Sequence, residues 1–492
     1  MTVSITTKPL KELTTPALIV PVPKDAERQL PAELEVHFAQ AAREQFQGKL
    51  GELLMLYPTS GSIERIVLVG LGDGKGTHSG TELFRRAVGT AVKALVGQKV
   101  TELSLFMDGI LEEQYAMEAT YVSLVAPYQY TKHKSSKDEP ATAPTSLTLV
   151  APGAKTTSAL KAALERAVIL ADSVRMARDL VNAPSNVMTP KRLAAAAEQL
   201  AKATAGVSCT VFGLPELTKR KFGALLAVAQ GSHEEPQLIT LEYQPGKATK
   251  TIALVGKGVT FDTGGINLKP GKAIEGMNMD MAGGGTMLAT IIAAARLKLP
   301  VHLIAIIPAT ENMPSGSAVK PGDVVTARSG ATIEVADTDA EGRMILADGL
   351  DWARQFKPDI VVDAATLTGA ALVALGEERA AILGNDAQLL DDLARAGETA
   401  GEPTWMLPLD DDYRAHVKSD IADVKNIGKG RNAGVISGAA FLEKFVPKGT
   451  PWAHIDLAGP AMRSDATHLG PKGGTAWGVR LLIAWLTAQG RA

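Results

Sequence analysis

Thr251-Ile-Ala-Leu-Val255 runs directly into Gly256-Lys-Gly-Val-Thr-Phe-Asp262-Thr-Gly-Gly-Ile-Asn-Leu-Lys269-Pro-Gly271. A short apolar run followed by turn residues reads as a buried strand that ends in a loop. Working outward, similar runs at 301–307, 360–364 and 453–457 alternate with helical patterns. That alternation predicts an α/β domain with a helix-flanked, largely parallel central sheet, in which ligands gather beyond the C-terminal ends of the strands. Lys257 and the loop around Leu367 both fall at such ends. Farther on, Asp280 precedes Met-Ala-Gly-Gly-Gly285 and an apolar helix reaching about Leu297. Glycines there suggest close backbone approach to a ligand, and a helix N-terminus favours anionic groups.

The second informative stretch is Val335-Ala-Asp-Thr-Asp-Ala-Glu-Gly-Arg-Met344, ahead of an apolar helical segment expected from Ile345. Read as extended chain, it places Asp337, Asp339 and Glu341 in phase with the apolar Ile333 and Val335, which aims them inward. Like charges in a poorly solvated place raise one another's pKa unless a cation sits among them. Asp262, Asp280, Asp339 and Glu341 together carry the charge that two divalent ions would balance, which leaves Lys269 and Arg343 to face a substrate. No histidine lies in either cluster, so Mn²⁺, Mg²⁺ or Zn²⁺ suits the donors better than copper or nickel.

Composition sets bounds on the rest. The chain has 492 residues, 46% of them hydrophobic and 21% charged, with 51 basic and 53 acidic side chains and a single cysteine, Cys209. Its length implies more than one domain, and a near-neutral charge gives no support to a nucleic-acid partner. One cysteine excludes an internal disulfide. No apolar run reaches the ~18 residues of a membrane helix and Met1 to Pro9 shows no basic-then-apolar leader, so a cytoplasmic protein is expected. Residues 1–155 alternate strand-like runs (17–22, 66–70, 103–106, 146–151) with helical ones and contain a polar loop at 132–144; this predicts a smaller N-terminal α/β domain. A linking helix is expected over 156–182 and a catalytic domain over 183–492. The glycine-rich 66–77 segment fits neither nucleotide-binding spacing and reads as a strand-to-helix turn. His454, among apolar neighbours on a strand, reads as a core histidine.

Asp337 to Met344 matches six of the eight positions of Asn-Thr-Asp-Ala-Glu-Gly-Arg-Leu, the signature of the leucine aminopeptidases, or cytosol aminopeptidases. The resemblance, closest to the bacterial leucyl aminopeptidase (aminopeptidase A) type, extends to 256–270, Asp280, Ala177 to Pro184 and Trp452 to Gly459. It covers essentially all of 175–490 and is looser before that. It implies a metallo-exopeptidase that cuts peptides by attack of a water bridging two ions, Mn²⁺ or Zn²⁺. Lys257, as a neutral amine, with Asp262, Asp280, Asp339 and Glu341 would be the ligands. Lys269 would polarise the scissile carbonyl. Arg343, with backbone near Gly342 and Leu367, would hold a bicarbonate acting as general base, and Met277 would line the pocket for the first side chain. The resemblance also implies a homohexamer; DNA binding, known in some relatives, finds no support in the charge. Asp337 departs from the family's asparagine, and is expected to stay outside the ion ligands; Met344 and the Asp280-Met-Ala-Gly-Gly-Gly sequence depart as packing variants. A different two-metal hydrolase, such as a phosphoesterase, is the alternative that these donors allow, and a lysine ligand speaks against it.

Overall fold

A computed structural model describes residues 1–24, 32–135, 143–248, 250–430 and 432–490. The middle of the polar loop at 132–144 lies outside the described residues. Contacts divide the chain into two units, Met1–Asp172 with Ser464–Lys472, and Ser173–Arg463 with Gly473–Ala492.

The first unit holds strands β1 (Thr2–Thr6), β2 (Leu18–Val22), β3 (Leu53–Leu56), β4 (Ile66–Gly70), β5 (Glu102–Phe106) and β6 (Ser146–Val150), with helices α1 (Ala32–Arg43), α2 (Gly80–Gly97) and α3 (Glu113–Val125). Its six-stranded sheet runs β1-β6-β5-β2-β4-β3 and is parallel except where β3 meets β4. Alternate side chains of β2 and β4, Leu18, Val20, Ile66 and Leu68, pack one apolar cluster with Leu34 and Phe106. The glycine-rich segment after β4 is a turn leading to α2, whose first turn is capped by Ser79 accepting the Glu82 N–H. Helix α4 (Ser158–Val181) carries the apolar spacing noted at 156–182, and the division between the units falls within it.

The second unit contains α5 (Pro190–Lys202), β7 (Val207–Phe212), α6 (Leu214–Lys219), α7 (Gly223–Ala229), β8 (Gln237–Tyr243), β9 (Thr251–Gly256), β10 (Gly258–Asp262), α8 (Ala282–Arg296), β11 (His302–Asn312), β12 (Val324–Thr326), β13 (Thr332–Glu334), α9 (Glu341–Ala353), β14 (Ile360–Ala365), α10 (Gly369–Leu375), β15 (Ala380–Gly384), α11 (Ala387–Ala400), β16 (Thr404–Met406), α12 (Asp411–Arg414), β17 (Val424–Lys425), α13 (Gly434–Glu443), β18 (Trp452–Asp456) and α14 (Val479–Gln489). Its nine-stranded sheet runs β16-β15-β18-β14-β9-β11-β8-β7, with β10 paired to β11. The centre, β18-β14-β9-β11, is parallel, and antiparallel pairing is confined to the flanks. This is the expected mixed α/β architecture. Burial of both faces explains why β9 and β14 read as largely apolar runs rather than alternating ones, with Asp363 as the buried exception that Trp452 and His454 satisfy.

Packing corrects one local expectation. The glycines that open α8 serve helix-to-sheet contact: a Cβ on Gly283 would lie 2.1 Å from the Ala364 carbonyl oxygen, and one on Gly256 would lie 2.6 Å from that of Gly283. The helix can therefore lie directly on the backbones of β9 and β14, and it is this approach, rather than an anion, that requires glycine there. His454 is buried on β18 and its Nδ1 stands 2.6 Å from Asp363 Oδ1, as a core histidine should.

Candidate metal centre

Four chain segments meet where the parallel strands end. Lys257 occupies the break between β9 and β10, Asp262 ends β10, Asp280 lies in the 3₁₀ turn Met277–Met281, and Glu341 is the first residue of α9. All four side chains are buried. Lys257 Nζ lies 2.8 Å from Asp280 Oδ2 and 2.7 Å from Glu341 Oε1, and it donates to the Thr366 carbonyl at 2.9 Å. One oxygen from each of Asp262, Asp280 and Glu341 falls within 4.8 Å of the others. Glycine at 342 leaves room for Lys257, since a Cβ there would come within 2.6 Å of its Cε and Nζ and displace the amine.

A second lysine stands on the outer side. Lys269 Nζ lies 2.7 Å from Asp262 Oδ2 and 2.5 Å from Asp339 Oδ1. Its side chain is 15% exposed and that of Asp339 34%, against 3% for Lys257. Asp339 is thus brought to Lys269 but stays outside the tight three-carboxylate group. Gly264 and Gly265, both at positive φ, turn the chain from Asp262 back so that Lys269 can reach it, and the Gly264 N–H donates to Asp262 Oδ1.

Electrostatics follow from this crowding. Burial works against the Lys257 ammonium, yet Asp280, Glu341 and Asp262 outweigh it and hold its pKa above the usual lysine range. Lys269 is held above its range by the same contest, with Asp262 and Glu341 prevailing over burial. Burial raises Asp280 well above the usual carboxylate range against the pull of Lys257, and raises Glu341 to about 7 together with the charge of Asp262. Two ammonium groups cannot neutralise four carboxylates in so dry a place.

Arg343, two residues beyond Glu341 on α9, is buried, and its Nη1 donates to the Asn426 carbonyl at 2.8 Å. Its Nε has no hydrogen-bond partner, and among the described residues no carboxylate lies within the 4 Å of an ion pair. Burial lowers its pKa, opposed by the more distant Glu341, Asp456 and Asp337. Gly342 sits in the first turn of α9, where backbone N–H groups lack helical partners. The Leu367 N–H is already engaged by Asp456 Oδ1 at 3.2 Å. Met277 is half-buried in the same short turn as Asp280.

The route of 335–344 differs from the extended chain expected of it. β13 stops at Glu334, Thr338 and Asp339 form a turn, and the helix begins at Glu341 rather than at Ile345. Asp337 makes the bend by accepting the Asp339 N–H on its own Oδ1 at 2.9 Å. Asn426 clamps the segment, accepting the Ala336 N–H and donating to the Asp337 carbonyl. Period-two phase therefore does not explain why Asp339 and Glu341 converge; a turn and a helix start do. Asp337 contributes to the turn and not to the three-carboxylate group.

Several positioning side chains escaped sequence reasoning. Asn312 donates to Asp262 Oδ1 at 2.8 Å, Thr338 donates to the Gly264 carbonyl and accepts the Asn267 N–H, and the Thr366 hydroxyl donates to Asp280 Oδ1 at 2.7 Å. Thr366 adjoins Leu367 in sequence and Thr338 lies within the acidic motif, so both were within reach. Asn312 and Asn426 carry no local signal.

Comparison with known proteins agrees with this geometry. The model of the cytosol aminopeptidase family, catalytic domain, matches residues 175–483, and that of the family's N-terminal domain matches 22–137. The chain belongs to the cytosol aminopeptidase family. A probable cytosol aminopeptidase of Syntrophotalea carbinolica is 47% identical over 90% of this chain and 90% of its own, and one of Chlorobium limicola is 38% identical over 99% of each. Among solved structures, the bottromycin maturation enzyme BotP in complex with Mn superposes with a TM-score of 0.86 at 33% identity, covering 97% of this chain and all of that one. As a member of this family the chain is a metal-dependent aminopeptidase, a hydrolase. Its own residues fit a divalent ion: the donors are hard oxygens, negative charge is in excess, and the buried Glu341 Oε2 has no hydrogen-bond partner.

Proposed function

We propose that this aminopeptidase releases leucine and similar residues from peptide N-termini with two divalent ions, Mn²⁺ or Zn²⁺, held by Lys257, Asp262, Asp280, Asp339 and Glu341. The observation that carries the reading is the juxtaposition of three buried carboxylates with two lysines and an unpaired buried arginine. The ions would supply Lewis-acid polarisation of the carbonyl and activation of the water nucleophile. Lys257 would serve as a neutral amine: burial already disfavours its ammonium, and neutralising Asp280, Glu341 and Asp262 removes what holds the proton on. Lys269, charged and on the more open side, donates to the oxygen that gains charge as the carbonyl becomes tetrahedral, a contribution of roughly 3–4 kcal/mol. Arg343 would hold the bicarbonate, whose chemistry is that of a general base, with the first turn of α9 at Gly342 beside it and the 367 turn nearby. Met277 would meet the first side chain of the peptide. A hexamer in the cytoplasm completes the reading, peptides being the partners.

The test is direct. Purified protein stripped by a chelator should fail to release leucine from leucine amide, and Mn²⁺ should restore the activity. Two ions per chain by metal analysis supports the reading; turnover of phosphate esters alone overturns it. Arg343→Ala should keep both ions yet slow turnover by about 10²- to 10⁴-fold, with added bicarbonate no longer stimulating. Full activity in that variant removes the bicarbonate assignment.

A further inference from the structure

Asp456 ends β18 and is fully buried, and among the described residues no cation lies within ion-pair distance of it. A carboxylate in such a place requires hydrogen-bond donors. It has four: Oδ1 accepts the N–H groups of Leu367 at 3.2 Å, Thr368 at 3.4 Å and Ala458 at 3.2 Å, and Oδ2 accepts the Thr368 hydroxyl at 2.7 Å. Three of the four come from the turn that leaves β14, the parallel neighbour of β18, where Ala365 stands opposite Asp456. Asp456 is therefore an anchor for residues 366–368.

The other side of that turn faces the candidate ligands. The Thr366 hydroxyl donates to Asp280 Oδ1 at 2.7 Å, and its carbonyl accepts from Lys257 Nζ at 2.9 Å. One threonine thus decides which Asp280 oxygen remains turned toward the cluster, and directs the Lys257 nitrogen as well. A hydroxyl at 2.7 Å and an ammonium at 2.9 Å both lose their bonds if the turn moves by about an ångström.

We propose that Asp456 is a positioning residue for the metal centre, fixing the 366–368 turn so that Thr366 sets the orientation of Asp280 and Lys257. The proposal rests on the reading of those two residues as ligands. It does not need Asp456 to touch an ion or the substrate. Its bonds to Thr368 are the distinguishing feature, because Thr368 also accepts the Ala371 N–H as the cap of α10 and so ties the turn at a second point.

The experiment is a Mn²⁺ titration of the full-length, chelator-stripped protein, followed by electron paramagnetic resonance of the free ion, with kcat and KM on leucine amide measured alongside. Asp456→Asn replaces an acceptor oxygen with a donor and should weaken the weaker-bound Mn²⁺ by about 10- to 100-fold, the usual effect of losing a group that orients a ligand. Thr368→Val should act in the same direction, and Thr368→Ser, which keeps the hydroxyl, should behave as the parent. High Mn²⁺ should recover part of the lost kcat. A lowered melting temperature with unchanged Mn²⁺ affinity would show a purely structural role and overturn the proposal, as would equal affinities in the valine and serine variants. Should Asp456→Asn not fold, that threonine pair decides alone. A parent protein that binds no Mn²⁺ and releases no leucine refutes the metal reading itself, a result distinct from failure of the anchor.

Discussion

Lys257 and Lys269 each stand between two carboxylates, at nearly equal distances, in unequal settings. Lys257 is held by Asp280 and Glu341 in a place that solvent scarcely reaches, with the Thr366 carbonyl as a third contact and Gly342 pressed against its stem. Lys269 lies between Asp262 and Asp339 on a loop bent by two left-handed glycines, with its outer carboxylate one-third exposed. Under the proposed function the same charge pattern would serve two jobs. Rigid enclosure suits a ligand whose position must not vary, and partial exposure suits a group that has to meet a peptide.

The sharpest way to break this division is to remove the carboxylate that only the deep site owns. Glu341→Ala should drop turnover by more than about 10³-fold with the fold kept, while Asp339→Ala, on the open side, should lose less. Comparable losses, read from kcat/KM on leucine amide, would erase the distinction between the two lysines.

Stability of the ion-free protein gives a second contrast. Lys257→Ala leaves Asp280 and Glu341 buried without their cation and should cost about 3–5 kcal/mol in chemical denaturation. Lys269→Ala leaves Asp339 open to solvent and the buried Asp262 still bonded by Asn312 and the Gly264 N–H, and should cost less, about 1–3 kcal/mol. Equal costs would mean that enclosure does not separate them.

Another buried carboxylate contributes its own pH dependence to stability. Asp348, farther along α9, accepts the N–H groups of Leu225 and Arg328, and burial nevertheless raises its pKa to about 7. Since the folded value lies above the unfolded one of 3.8, its contribution is fully present below about pH 4 and is lost as pH rises through 7. Stability of the parent relative to Asp348→Asn should therefore fall across that window, by up to about 4 kcal/mol. A flat difference would show that its backbone donors compensate the charge.

Much of this molecule was legible in its sequence, and the gaps have a common cause. Runs such as 251–255 and 360–364 are largely apolar because both faces of the sheet are covered, Asp363 being the one charge among them, so strands and sheet type are legible. Asp262, Asp280, Asp339 and Glu341 stand out in the sequence because crowded charge among glycines and apolar residues is unusual. What could not be read depends on contacts across long separations: Asn426 bonding to 336–337, Asn312 reaching Asp262, and Asp456 anchoring the turn after β14. The glycines that open α8 suggest a ligand cradle in the sequence because sequence does not reveal whether the close neighbour is a ligand or the next layer of backbone.

The smallest effect is expected where the sequence departs from the family signature. Asp337 would add a fifth carboxylate to the centre had the chain run extended, and Asp337→Asn would then change ion binding. Its Oδ1 instead accepts the Asp339 N–H, and its backbone is held on both sides by Asn426. An asparagine oxygen can accept that N–H equally well, and nothing else in the turn requires the charge. Asp337→Asn should thus keep the parent's number of bound Mn²⁺ ions and its kcat/KM within about threefold, an energy change below about 1 kcal/mol. Loss of one ion per chain would place Asp337 among the ligands, and would mean that the open side around Lys269 carries more of the metal chemistry than the enclosed side around Lys257.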